Sequence, residues 1–122
     1  FLQCLNEINL MTNQEVFDKV ATHLLTQNKK AICPIDGRCK YRTSEGLKCA
    51  AGIMISDDEY SPEMESWAVN HLITKYNLEK IAPFKDLLYK LQGIHDMVGI
   101  EDWRNELRKT ALRYHLSASV LD

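Results

Sequence analysis

Apolar residues recur every three or four positions through four stretches of the chain, and the rhythm breaks between about residues 29 and 60. In the first stretch Val16, Phe17, Val20, Leu24 and Leu25 share a face. They follow Thr12-Asn-Gln-Glu15, a capping box in which the hydroxyl accepts from the third helical amide and the Glu side chain reaches back. The spacing predicts a helix over about 13–28, ended near Asn28-Lys29-Lys30, whose cations suit the negative end of the helix dipole. Ser61-Pro62-Glu63 predicts another start, with a cap, a proline at the first helical position and an acid in the first turn. That helix covers about 62–76 and is expected to bury Met64, Trp67, Ala68 and Leu72, with Tyr76 at its end. Asn77 and Pro83 separate it from a helix over about 84–98, carrying Phe84, Leu87, Leu88, Leu91, Ile94 and Val98 and ended by Gly99. A last helix over about 101–115 carries Trp103, Leu107, Ala111 and Tyr114.

The irregular stretch has its own pattern. Pro34 and Asp36-Gly37 signal a turn. Residues 38–43 alternate, so that Cys39, Tyr41 and Thr43 would share one face of a strand and Arg38, Lys40 and Arg42 the other. Ser44-Glu45-Gly46 reads as a hairpin loop, with a second strand starting near Leu47. The small residues Ala50, Ala51 and Gly52 fit either a continued strand to Ile55 or a short helix. The expected fold is α+β: a mostly helical single domain of about four main helices, with a small antiparallel β-hairpin inserted after the first. Residues 1–11 read as an N-terminal extension, with Met11 a candidate translation start, and 12–122 as one globular domain.

Composition narrows the partners. Fifteen basic residues stand against 17 acidic ones, for a net charge of −2. Binding to nucleic acid through a general basic excess is therefore not favoured. No apolar run approaches the roughly 20 residues of a membrane span. With no secretory leader pattern, the four cysteines (Cys4, Cys33, Cys39 and Cys49) are expected to be reduced thiols of a cytoplasmic protein.

Several groupings could carry chemistry. Cys33, Cys39 and Cys49, with His71 or His95, suggest a structural zinc module. Their gaps of five and nine residues lack the close pairing usual for zinc, and buried free thiols fit equally. Cys49 with His95, oriented by Asp96 or Asp57, would make a nucleophilic thiol. His71 with His95-Asp96 resembles a metal phosphohydrolase pattern. Arg38, Lys40 and Arg42, with Lys48 on the following strand, would form a cationic contact face for phosphates or an acidic protein surface. The competing reading is a solvated strand face that discourages edge pairing. Asp57-Asp58-Glu59 with Glu63 and Glu65 could bind a divalent cation or a basic partner, or serve as capping acids for the next helix.

Cys39-x-Tyr41-Arg42, Gly46-x-x-Cys49-Ala50-x-Gly52, Ile55-x-Asp57-x-x-Tyr60, Leu91-Gln92-x-x-His95-Asp96 and Trp103 together resemble a family of small proteins of tailed phages and prophages, over about residues 12–116. Ser56 stands where that pattern has proline. The resemblance implies a phage accessory protein in the bacterial host cytoplasm. The expected function is non-enzymatic binding that modulates or inhibits a host or defence protein complex, with Arg38, Lys40, Arg42 and Lys48 as contact surface. The alternative is a protein that sequesters or hydrolyses a small, nucleotide-like anionic ligand in a pocket of Tyr41, Cys49, Asp57, Tyr60, Gln92, His95 and Asp96.

Overall fold

The computed structural model describes residues 11–122. The chain folds into α1 (Asn13–Gln27), α2 (Ala50–Met54), α3 (Val69–Lys75), α4 (Lys85–Met97) and α5 (Trp103–Arg113). Single 3-10 turns lie at Pro62–Ser66, Ala82–Phe84, Ile100–Asp102 and Ser119–Leu121. Helix α4 is the hub and packs against α1, α2, α3 and α5. Its Leu87, Leu88, Leu91, Ile94 and His95 are buried. None of the described helices is long and apolar enough to cross a membrane.

The predicted helix starts and stops follow from local chemistry. Thr12 and Glu15 make both bonds of the capping box, at 2.9 and 3.2 Å. Helix α1 ends where Asn28 turns left-handed (φ 52°), a conformation asparagine tolerates better than most residues. The apolar stripes of α4 and α5 face inward as their periodicity requires, with Trp103, Leu107 and Ala111 buried on α5.

The expected β-hairpin is not there, and the described residues form an all-α fold without strands. Between α1 and α2 only two isolated antiparallel bridges occur, Ile32 with Cys39 and Arg42 with Lys48. The reason lies in where the backbone donors go. A strand needs its amides for the neighbouring strand. Here the Tyr41 and Arg42 amides donate to the Glu65 carboxylate, at 2.8 and 3.1 Å. The Lys48 amide donates to Gln27 Oε1 at 3.0 Å. Side chains thus take the places a ladder would have used. The chain then enters α2 at once, because the Cys49 thiol accepts from the Gly52 amide as a helix cap.

A second departure concerns the helix expected over 62–76. It is broken in two, with Trp67 and Ala68 extended between the 3-10 turn and α3. Trp67 is 39% exposed rather than core, and Ala68 is exposed too. The break frees the Trp67 carbonyl to accept the Tyr41 hydroxyl. It also leaves Glu65 aimed back at the loop.

Helix α2 lies so close to the loop that a Cβ on Gly52 would sit 2.0 Å from the Tyr41 carbonyl oxygen. Both atoms belong to backbone, so neither can swing aside. Replacing Gly52→Ala is expected to destabilise the protein by about 2–3 kcal/mol, the upper range for overpacking, measured as a shift in the urea midpoint. An unchanged midpoint would show that α2 and the loop are not in this close contact.

Candidate functional site

The sequence-predicted site residues divide into two clusters and one wall of a cleft. The first cluster is built around His95. Its ring is fully buried on α4 and stacks on Trp103, with centroids 5.7 Å apart. Its Nε2 accepts the Ala31 amide at 2.9 Å. A backbone amide can only donate, so Nε2 holds the lone pair and the ring proton sits on Nδ1. From there it is donated to Asp96 Oδ1 at 2.7 Å. Gln92 donates to the same oxygen at 2.9 Å and accepts the Ala51 amide at 2.9 Å. Lys30 reaches the Asp96 carbonyl at 3.3 Å. Three residues of one helix thus hold the loop at Ala31 and the start of α2 together.

The second cluster is built around Arg42. Its guanidinium donates to Asp57 Oδ1 at 2.7 Å and to the Ile55 carbonyl at 2.6 Å. It also lies 4.7 Å from the centre of the Tyr60 ring. Tyr60 in turn donates to Glu65 at 2.6 Å. Lys48 stands 4.0 Å from the same Asp57 carboxylate, and Lys40 pairs with Asp36 at 3.2 Å. Of the four cations expected to form one face, Arg42, Lys48 and Lys40 thus meet carboxylates of their own chain, while Arg38 is exposed. The alternation behind that expectation belongs to a strand that does not form.

The nucleophile reading does not survive the geometry. Cys49 is buried and caps α2, and burial pushes its thiol up to about 12. His95 offers its only lone pair to Ala31, so it has none for a thiol proton. Cys39 is exposed, but its own partial burial and the Asp96 carboxylate beside it raise its pKa above the ordinary thiol value, the opposite of activation. His71 is exposed on α3, while His95 lies inside.

The zinc reading meets a related obstacle. Among the described residues, donor atoms of Cys39, His95 and Asp96 lie within 4.8 Å of one another. A metal there would need the Nδ1 lone pair and would move the ring proton to Nε2. Two N–H groups, those of His95 and Ala31, would then face each other in a buried site. The residues do not fit a metal in this arrangement, and Cys33 and Cys49 take no part in the trio.

What remains open to solvent is a cleft of about 340 Å³ between the loop at Cys39–Tyr41, the chain break at Trp67–Val69 and one face of α4. Tyr41, Gln92 and Asp96 of the expected pocket line it. Cys49 and His95 lie buried, and Asp57 and Tyr60 belong to the Arg42 cluster. The sequence reading missed Trp67, Tyr89, Gly93 and Met97 as lining residues, and saw Glu65 as one of an acidic cluster for a cation, a basic partner or a helix cap rather than as part of a cleft. A signal was present for three of them: Tyr89, Gly93 and Met97 recur every fourth residue on the polar side of an otherwise well-patterned helix. Gly93 is also an interior helix glycine, which costs about 0.5–1 kcal/mol against alanine.

No protein-family model matches the chain, and neither the curated proteins nor the solved structures yield a match.

Two outcomes are expected. Asp96→Ala leaves the buried His95 Nδ1–H without an acceptor and should lower stability by about 2–3 kcal/mol in chemical denaturation. Stability should also fall as pH rises through the alkaline range. Cys49, Tyr41 and Tyr60 all have raised pKa values in the folded state, chiefly from burial. Above the ordinary thiol value of 9.0 the unfolded chain loses protons that the folded chain keeps, so the slope of stability with pH is negative. Full stability holds below that value, and Cys49→Ser should flatten the decline. A melting temperature constant to pH 11 would contradict this.

Proposed function

We propose that the protein is a non-enzymatic binding protein and that the cleft on α4 is its recognition site. One observation supports this above the others: the cleft is edged by exposed apolar side chains while the candidate catalytic groups are bonded into the fold. Trp67 is 39% exposed, Tyr89 60% and Met97 83%. Aromatic residues and methionine are enriched in protein interfaces, and scattered single apolar residues need no such account. These three border one concavity.

The resemblance to tailed-phage accessory proteins directs the search for the partner. In this reading the partner is a host or defence protein met in the bacterial cytoplasm, whose activity the bound protein modulates. A small anionic ligand suits the cleft less well. Its charged lining is Glu65, Asp96 and Lys40, and Lys40 is already paired with Asp36.

Tagged native protein and a Trp67→Ala, Tyr89→Ala double variant would be used to capture proteins from bacterial lysate. A partner retained in stoichiometric amount by native protein should be lost from the variant, whose melting temperature should stay within a few degrees of native. Centrally placed aromatic anchors carry on the order of 1–2 kcal/mol each, or roughly 10-fold in affinity. Identical captures by both proteins would overturn the assignment of this cleft.

A further inference from the structure

We infer that the cleft takes a lysine or arginine side chain presented by a segment of a partner protein that crosses α4 directly over Gly93. The inference rests on the binding reading above and names the chemistry of the occupant.

Gly93 is the first support. The fold accounts for the other glycines it uses tightly: Gly37 and Gly46 have positive φ, and Gly52 abuts the Tyr41 carbonyl. Gly93 sits inside α4 with ordinary helical geometry, and a Cβ added there would meet nothing within 4 Å. Nothing inside the protein needs the missing side chain. What its absence provides is access from outside, where a second backbone can approach the helix closely.

The second support is shape. Tyr89 and Met97 stand one turn to either side of Gly93, so the exposed stripe runs about 12 Å along the helix. Concavities flank it on both sides. The first is the cleft already described. The second, of about 470 Å³, lies toward α5 and also includes Tyr89, Gly93 and Met97. A chain segment laid across Gly93 would reach both, whereas a small molecule would fill only one.

The third support is charge. Asp96 Oδ1 holds the His95 and Gln92 donors, the Cys39 thiol lies beside the same carboxylate, and the side chain is 33% exposed. Glu65 lies on the opposite wall, where it accepts the Tyr41 and Arg42 amides and the Tyr60 hydroxyl, and Lys40 of the same lining is paired with Asp36. Trp67 adds an aromatic face, and this ring already draws a cation, the Lys75 ammonium, to 4.6 Å from its centre. Carboxylates beside an aromatic ring favour an ammonium or guanidinium over a neutral or anionic group.

The test uses isotope-labelled full-length protein titrated with three short capped alanine-leucine peptides that differ only at the centre, which is lysine, norleucine or glutamate. The lysine peptide should shift the Gly93 amide, the Trp67 indole and the Cys39 amide along one saturable curve. Norleucine should bind at least ~5-fold more weakly, and glutamate should produce no saturable shift. Gly93→Leu should weaken the lysine peptide at least ~10-fold while melting at or above the native temperature, since leucine suits a helix better than glycine and its Cβ meets nothing within 4 Å. Equal binding of lysine and glutamate peptides, absence of saturable shifts, or full retention by Gly93→Leu would each overturn the inference. If the peptides fail while the Trp67, Tyr89 variant still loses its captured partner, the binding reading stands and only the basic occupant is rejected. If both fail, the cleft is not the recognition site.

Discussion

The lone pair on His95 Nε2 holds the irregular segment between α1 and α2 in place. Residues 28–49 have little regular structure of their own, and a loop of that length must otherwise leave its amides to water. Accepting the Ala31 amide fixes the loop to the last turn of α4, deep enough that the imidazole stacks on Trp103 of α5. The bond also dictates the tautomer, and with it the donation from Nδ1 to Asp96 and the alignment of Gln92 toward α2. Loop, hub helix and the shortest helix are joined through three side chains within little more than one turn of α4.

Similar grips recur around the loop. Gln27 brackets Lys48, accepting its amide and donating to its carbonyl, and His23 donates to that carbonyl as well. Glu65 receives two successive amides and the Tyr60 hydroxyl. Arg42 closes the far end through Asp57, the Ile55 carbonyl and the Tyr60 face. Together these bonds do the work that a sheet ladder performs in other small domains. They also give a physical meaning to the sequence pattern of the middle region. Tyr41, Arg42, Cys49, Gly52, Asp57, Tyr60, Gln92, His95 and Asp96 each make a contact that shapes the loop. A pattern rich in polar and aromatic types, which reads like a ligand site, is here largely a folding pattern.

That distinction explains what could be read from the chain alone. Helix α1 was legible to within a residue at each end because capping box, apolar stripe and left-handed asparagine all act locally. Helices α4 and α5 have no side-chain caps and were legible from their apolar stripes alone. The hairpin was misread because alternation over 38–43 is a local signal, whereas the competition for amides comes from Glu65 and Gln27, more than twenty residues away. Trp67 was misplaced because a bulky apolar residue in phase with Met64 and Leu72 looks like core. The Tyr41 hydroxyl, which no periodicity reveals, favours the break there. His95 and Asp96 were both singled out in the sequence for a candidate pocket, and the structure joins them by one hydrogen bond. Their role could not be read there, because a backbone amide carries no side-chain signature in the sequence.

Residues that the fold explains and residues that it does not therefore carry different information. The buried imidazole, the capping thiol and the paired guanidinium each have an intramolecular partner that accounts for their chemistry. Tyr89, Gly93 and Met97 have none: two large apolar groups face water, and a glycine sits in a helix that would be steadier without it. Asp96 belongs to both sets. Its Oδ1 holds the His95 latch and the residue also lines the cleft, so a cation bound there would draw on the same carboxylate that positions the loop. Neutralising that carboxylate from outside would weaken its hold on the Nδ1 proton. In the binding reading proposed above, occupation of the cleft and rigidity of the loop at Ala31 would be coupled through that one side chain.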